Sequence, residues 1–141
     1  MRKVALALAA AAALSGCASA PLPRNENLRI VGRWANGEPG SACREQFEFR
    51  EDGRVLYTSG GGARVEGTYV LSPNPSARGM HALLMQVVAS NGGNDCQGDP
   101  AAGGPGDTTS LYLWIDTAKD YLLGCAEDNF DYCDRPLRRV R

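Results

Sequence analysis

The sequence has little of what most enzyme active sites use. It contains one histidine, His81, so any mechanism that needs an imidazole base must use that residue. It contains no G-x-S-x-G motif, the turn that usually presents a serine nucleophile. The glycine-rich segment 103–109 has no lysine and no predicted helix after it, which argues against a phosphate-binding loop. The sequence therefore predicts a protein that is not an enzyme and carries no cofactor.

The sequence also lacks an excess of positive charge, paired metal ligands and a long apolar run. Fifteen Lys and Arg stand against 16 Asp and Glu, a net charge of −1 that gives no electrostatic footprint for nucleic acid. No C-x-x-C motif occurs, so a zinc site is not predicted. The longest apolar run, 4–14, is far shorter than the about 20 residues that a membrane-spanning helix needs.

The beginning of the chain has the pattern of an exported signal segment. Arg2 and Lys3 precede the apolar run 4–14, and Leu-Ser-Gly-Cys follows and ends at Cys17. These four residues resemble the lipobox of bacterial lipoproteins, in which the signal peptide is removed before the cysteine and the cysteine is then acylated. The resemblance implies a signal peptide over 1–16 and a lipid anchor on Cys17.

The residues after the lipobox indicate where the anchored protein is held. Ala18 is not the aspartate that retains such lipoproteins in the inner membrane, so the resemblance implies an outer-membrane anchor facing the periplasm. Residues 17–27 are polar and contain two prolines, which is typical of a flexible tether. We therefore expect a membrane-anchored domain in the cell envelope that begins near residue 28.

Four cysteines remain once the lipobox cysteine is set aside. In the oxidising compartment that export implies, an even number favours disulfides over free thiols. Three pairings are possible. We expect Cys43–Cys96 and Cys125–Cys133, because the second pair closes a local hairpin.

From residue 28 onward the chain has the alternation and turn spacing of an all-β domain. Helical periodicity is missing, and turn signals recur every 8–15 residues. The clearest alternation places Phe47 and Phe49 between polar and charged residues. Pro136 favours an edge position for the last predicted strand. The eight predicted strands cover 28–35, 43–50, 54–58, 64–71, 80–89, 109–116, 121–125 and 132–140.

Sequential strands usually pair, so we expect an antiparallel meander that forms a small barrel or sandwich. In such a meander the longer links fall together at a loop-rich end, and the tight turns fall at the opposite, tight-turn end. All four remaining cysteines lie at the loop-rich end. Disulfides there restrict loops whose ordering costs entropy. The sequence thus predicts a single β domain over 28–141, stapled by disulfides at one end.

Gly32, Arg33 and Trp34 lie in the first predicted strand. This segment is similar to the G-x-W of lipocalin-like barrels, where a tryptophan near the start of the first strand closes the barrel floor. In those barrels the tryptophan packs against an arginine from the end of the chain. The resemblance implies that Arg138 or Arg139 supplies this partner.

Acidic residues are concentrated in two loops at the predicted loop-rich end. A carboxylate rim suits a basic partner, and it would also suit calcium, but no EF-hand spacing occurs and no metal site is predicted. The candidate binding residues are Asp95, Asp99, Glu127, Asp128 and Asp131.

Two predicted strands, 80–89 and 109–116, are apolar on both faces. One face fills the core, so the other must be covered by the long loop 90–108 or by a partner. We therefore expect a binding role, with a periplasmic protein or a small apolar ligand as the partner. An inhibitor or immunity lipoprotein directed against a cell-wall hydrolase and a structural component of an envelope complex remain alternatives.

Overall fold

A closed barrel of eight antiparallel strands is formed by residues 29–141, the residues that the computed structural model describes. The predicted signal peptide, Cys17 and the tether up to residue 27 lie outside the described residues. The strands are β1 (Gly32–Ala35), β2 (Glu45–Phe49), β3 (Arg54–Ser59), β4 (Arg64–Leu71), β5 (His81–Ser90), β6 (Thr108–Asp116), β7 (Tyr121–Cys125) and β8 (Leu137–Arg139). The predicted all-β meander of eight strands is confirmed.

Closure of the barrel depends on the last strand. β8 pairs with β7 on one side and with β1 on the other, so the expectation that Pro136 places it at an edge is wrong. Pro136 lies immediately before β8, where its missing N–H removes no hydrogen bond from either ladder. The strand is only three residues long, and these three residues convert an open meander into a barrel.

Alternation along the strands decides which side chains point into the barrel. β4 is the clearest case, because Val65, Gly67, Tyr69 and Leu71 are buried while the residues between them are exposed. A register shift between Glu66 and Gly67 marks an irregularity where β4 pairs with β5. In β2 and β3 the pairing sets aromatic residues together, since Phe47 lies opposite Tyr57 in the ladder. The predicted alternation therefore selects the correct inner face.

The two ends of the barrel differ as the meander predicts. The loop-rich end carries the links 36–44, 60–63, 91–107 and 126–136, and the tight-turn end carries 50–53, 72–80 and 117–120. The expected disulfides, Cys43–Cys96 and Cys125–Cys133, are confirmed, and both lie at the loop-rich end.

The packed core occupies the half of the barrel nearest the tight turns, and we call it the floor cluster. The floor cluster consists of Ile30, Trp34, Phe49, Val55, Tyr69, Leu71, Leu83, Leu113 and Leu122. Phe49 and Tyr69 meet edge to face with their ring centroids 5.0 Å apart, a favourable aromatic geometry.

Trp34 packs in the floor against an arginine from the end of the chain, the contact that the similarity to the G-x-W segment implies. The guanidinium carbon of Arg139 lies 4.1 Å from the centroid of the Trp34 ring. Arg139 donates hydrogen bonds to the Asp120 carboxylate at 2.9 Å and to the backbone carbonyls of Val31 and Arg29 at 2.9 and 2.8 Å. One side chain thus ties the entering chain, the 117–120 turn and β8 together beneath the core.

The outer face of β6 is covered by a loop that was expected at the rim of the loop-rich end. Trp114 points outward and packs against Tyr121 and Phe130, with ring centroids 5.5 and 5.9 Å away. Phe130 belongs to the link 126–136, and the acidic segment 126–131 of this link folds back along the outer wall instead of lying at the rim.

The outer face of β5 is not covered by the long loop. Val70 of β4 pairs with Leu84 of β5, and Val88 follows further along β5. These three side chains, which we call the outer patch, remain 62%, 46% and 55% exposed. The expectation that loop 90–108 covers this face is wrong here, because the loop is directed across the barrel mouth.

Candidate functional site

The loop-rich half of the barrel interior is a cavity of about 720 Å³. Strands β2 to β8 all contribute to its wall, and the floor cluster closes its lower end. Two wall positions, Gly67 and Gly124, are glycines and add no side chain to the interior. A Cβ at Gly67 would meet the backbone carbonyl of Gln86, whereas a Cβ at Gly124 would make ordinary contacts with Leu111 and Leu113. The main apolar side chains above the floor are Phe47, Val65, Met85, Val87, Leu111 and Leu137.

The long link 91–107 lies across part of the cavity mouth. Its residues 95–97, 101 and 102 line the cavity, and the disulfide from Cys96 to Cys43 ties it to the link before β2. The Asn94 carbonyl also accepts hydrogen bonds from the Ser59 hydroxyl at 2.6 Å and the Ala63 amide at 3.2 Å. The mouth is therefore bordered by a loop held at several points.

Two glycines allow this loop to cross the β3–β4 hairpin. A Cβ at Gly61 or at Gly93 would lie closer than 3.0 Å to backbone atoms of the opposite segment. Side chains at either position would push the loop away from the hairpin.

Three polar side chains that are hydrogen-bonded to one another lie on the cavity wall near the mouth. The Tyr57 hydroxyl donates to Oε1 of Glu45 at 2.8 Å, and the Asn36 amide donates to Oε2 at 2.8 Å. The backbone N–H of Glu45 in turn donates to Oδ1 of Asn36 at 2.9 Å. We call Asn36, Glu45 and Tyr57 the polar triad.

The environment of Tyr57 keeps its hydroxyl in the donor form. Burial raises the pKa of Tyr57 well above its usual value, and the hydrogen bond and charge of Glu45 raise this pKa further. The hydroxyl therefore retains its proton throughout the neutral pH range. Its hydrogen is committed to Glu45, which fixes the orientation of the carboxylate.

The other polar residues that line the cavity are Gln86 on β5, Thr109 on β6 and four residues of the loops at the rim. Asp95 and Gln97 come from the long link, and Asp134 and Arg135 come from the segment before β8. The Asp95 carboxylate accepts the backbone N–H groups of Gln97 and Asp99 at 2.8 and 3.0 Å, so it also shapes its own turn.

The structure separates the five acidic residues that the sequence singled out. Asp95 lines the cavity, and Asp99 lies beside it through the backbone contact just described. Glu127, Asp128 and Asp131 lie in the link that folds along the outer wall. The Asp128 carboxylate accepts a hydrogen bond at 2.6 Å from Ser76, a residue of the tight-turn end.

The polar triad is the part of the site that sequence reasoning missed. A signal was present, because Glu45 has the same alternation phase as Phe47 and Phe49 and so belongs on the inner face. His81, in contrast, lies at the tight-turn end of β5, where its Nδ1 is 2.8 Å from the Ser72 carbonyl oxygen.

The described residues can also be considered for a metal site and for a membrane-spanning helix. Within 29–141, no three side chains of His, Cys, Asp or Glu are arranged to hold a metal ion. The same residues include no helix that is long and apolar enough to cross a membrane. No protein-family model, no curated protein and no solved structure matches the chain significantly.

Proposed function

We propose that this chain is a non-enzymatic binding protein that holds a small apolar ligand in the barrel cavity. The cavity volume, about 720 Å³, is the observation that carries the proposal. It falls within the range of about 300–1,000 Å³ that is typical of pockets for small molecules. Barrels of about eight strands have interiors wide enough for one such ligand.

Stability alone gives no reason for a cavity of this size. Packed protein interiors contain few voids larger than a water molecule, which occupies about 30 Å³ in the liquid. Apolar wall residues such as Met85 and Leu111 would gain packing contacts if larger side chains filled the space in front of them. A ligand that enters from the mouth supplies those contacts instead.

The orientation of the barrel suits a protein anchored at its N-terminus. The chain enters at the floor, where the backbone of Arg29 and Val31 contacts Arg139, and the cavity opens at the opposite end. An acyl anchor on Cys17 in the outer membrane, followed by a tether up to residue 27, would hold the mouth away from the lipid. The ligand would then be captured from the periplasm.

A protein partner is the second candidate, and the outer patch favours it. Val70 and Leu84 are exposed apolar side chains opposite each other in the ladder, and Val88 is exposed further along β5, beyond the polar pair Thr68 and Gln86. The narrower alternative of a hydrolase inhibitor relied on an acidic rim. That alternative has less support, because Glu127, Asp128 and Asp131 do not border the mouth. A structural role in an envelope complex would use the same outer patch.

Native mass spectrometry of the protein purified from its own cells distinguishes these possibilities. We expect a mass excess that corresponds to one small apolar molecule per chain and that disappears after extraction with organic solvent. Mild crosslinking of the same cells serves as the control for a protein complex. Recovery of the chain without a bound small molecule, together with a crosslinked protein partner in fixed ratio, would contradict the ligand proposal.

A further inference from the structure

We propose that the ligand carries a cationic, hydrogen-bond-donating head group, an amine on an apolar body, and that Glu45 binds this head group. The inference rests on the proposed function, since it assigns the chemistry of the molecule that occupies the same cavity. It follows from the position of Glu45, from the groups that hold its carboxylate and from the charges around it.

Glu45 stands where an apolar wall ends. It is the first residue of β2, at the loop-rich end, and Phe47 and Phe49 follow it on the same inner face. A ligand whose apolar body lies along these rings therefore brings its upper end to the Glu45 carboxylate. Lining the cavity and partly buried, this carboxylate is less screened by water than a carboxylate on the outer wall.

The carboxylate is held in place but is not saturated. Each of its oxygens accepts one hydrogen bond, from Tyr57 or from Asn36. An ionised carboxylate has about four acceptor positions, so about two are left for donors from a ligand. Fixing the side chain before the ligand arrives reduces the entropy lost on binding.

The neighbouring groups favour a cation over an anion. The hydrogen of the Tyr57 hydroxyl is already used by Glu45, so Tyr57 does not serve as a donor for a ligand carboxylate. The Asp95 carboxylate is close enough to act electrostatically on Tyr57 and adds negative charge at the same side. An ammonium group forms strong, charge-assisted hydrogen bonds with a carboxylate, whereas an anion would be repelled.

One cation also borders the cavity and must be weighed. Arg135 lies in the segment before β8, and it is exposed, as is its acidic neighbour Asp134. Charges at such an exposed rim are strongly screened by water and salt. The partly buried Glu45 therefore has the larger influence on a head group that reaches the cavity wall.

A series of ligands with one apolar chain and different head groups tests the inference. The full chain with Cys17→Ser, which prevents acylation, is loaded with the neutral fluorescent probe N-phenyl-1-naphthylamine. The probe is then displaced with decylamine, decanol or decanoate at neutral pH. We expect decylamine to displace the probe at a concentration about tenfold lower than decanol, and decanoate to be the weakest competitor.

Two matched variants locate the effect. Glu45→Gln keeps the size of the side chain and one of its two acceptor oxygens but removes the charge. In this variant we expect decylamine and decanol to displace the probe at similar concentrations. Glu48→Gln removes the same charge from the outer face of the same strand, where Glu48 pairs with Arg50, and it should leave the order unchanged.

The outcomes separate the inference from the function on which it rests. If the probe binds but the three head groups compete equally, or if Glu45→Gln keeps the amine preference, the head-group assignment is wrong and the apolar site stands. If the probe does not bind at all, the proposed function itself is contradicted. If Glu45→Gln fails to fold, the order of the three competitors measured with Glu45 in place still tests the inference.

Discussion

Replacement of Trp34 by alanine is expected to lower the free energy of unfolding by about 3–5 kcal/mol, a large share of the stability of a domain of this size. The indole is 1% exposed, and its Nε1 donates to the Ile30 carbonyl at 2.7 Å. Removing it leaves a void at the centre of the floor and deprives Arg139 of the ring on which it stacks. Urea denaturation followed by circular dichroism measures the loss.

The second tryptophan provides the control for this prediction. Trp114 is only partly buried on the outer wall, so Trp114→Ala should cost clearly less than Trp34→Ala. Equal losses for the two variants would mean that the floor is not the main source of stability.

Removal of the disulfide between Cys43 and Cys96 is expected to have the second large effect. The two cysteines are 53 residues apart in the sequence. A cross-link that closes a loop of this length lowers the entropy of the unfolded chain by an amount worth about 4 kcal/mol. The double variant Cys43→Ser/Cys96→Ser should lose stability of this order in a denaturant titration. A probe bound in the cavity should also exchange faster from this variant, because the Cys43–Cys96 disulfide holds the loop across the mouth.

The other disulfide gives a matched comparison. Cys125 and Cys133 are separated by 8 residues, for which the same model gives about 2.5 kcal/mol. Cys125→Ser/Cys133→Ser should therefore destabilise the domain less. A larger stability loss from the local bond than from the long-range bond would contradict this account.

Local patterns in the sequence were enough to predict the strands and to bring the four cysteines to one end, but they left three pairings open. Turn signals separate the eight strands and period-two alternation marks some of them, such as the segment around Phe47 and Phe49, and following the strand directions brings the cysteines to one end. Closure was not predictable in this way. It depends on β8 pairing with β1, a contact between the two ends of the domain that no local pattern encodes.

The candidate site was predictable only in part, for two physical reasons. The acidic segment 126–131 was placed at the rim because it joins two strands at the loop-rich end of the meander, but Phe130 packs against Trp114 and the segment lies along the outer wall. The polar triad depends on Tyr57 and Asn36 reaching Glu45 from two other parts of the chain. Alternation predicts the inner face for Glu45, but it does not predict these partners.

The two halves of the barrel interior have different tasks in this account. The floor cluster, with Trp34 and Arg139, supplies tight packing at the end where the chain enters. The upper half is not packed and encloses an open, apolar space with the polar triad near its mouth. Variants in the floor should therefore change stability, whereas variants that fill the upper half should change binding.

Filling the cavity from Gly124 tests the central claim most directly. A Cβ at Gly124 would make ordinary contacts with Leu111 and Leu113 at 3.6 and 3.8 Å, so Gly124→Met directs a long side chain into the cavity without backbone strain. Ser110→Met adds the same side chain to the exposed outer face of β6 and serves as the control.

The measurement is the affinity of N-phenyl-1-naphthylamine for the full chain with Cys17→Ser, alone and combined with each of these two changes. A ligand-binding barrel predicts at least about a tenfold weaker affinity for Gly124→Met, and an unchanged affinity for Ser110→Met. Equal affinities for all three proteins would contradict the claim that the cavity binds the ligand.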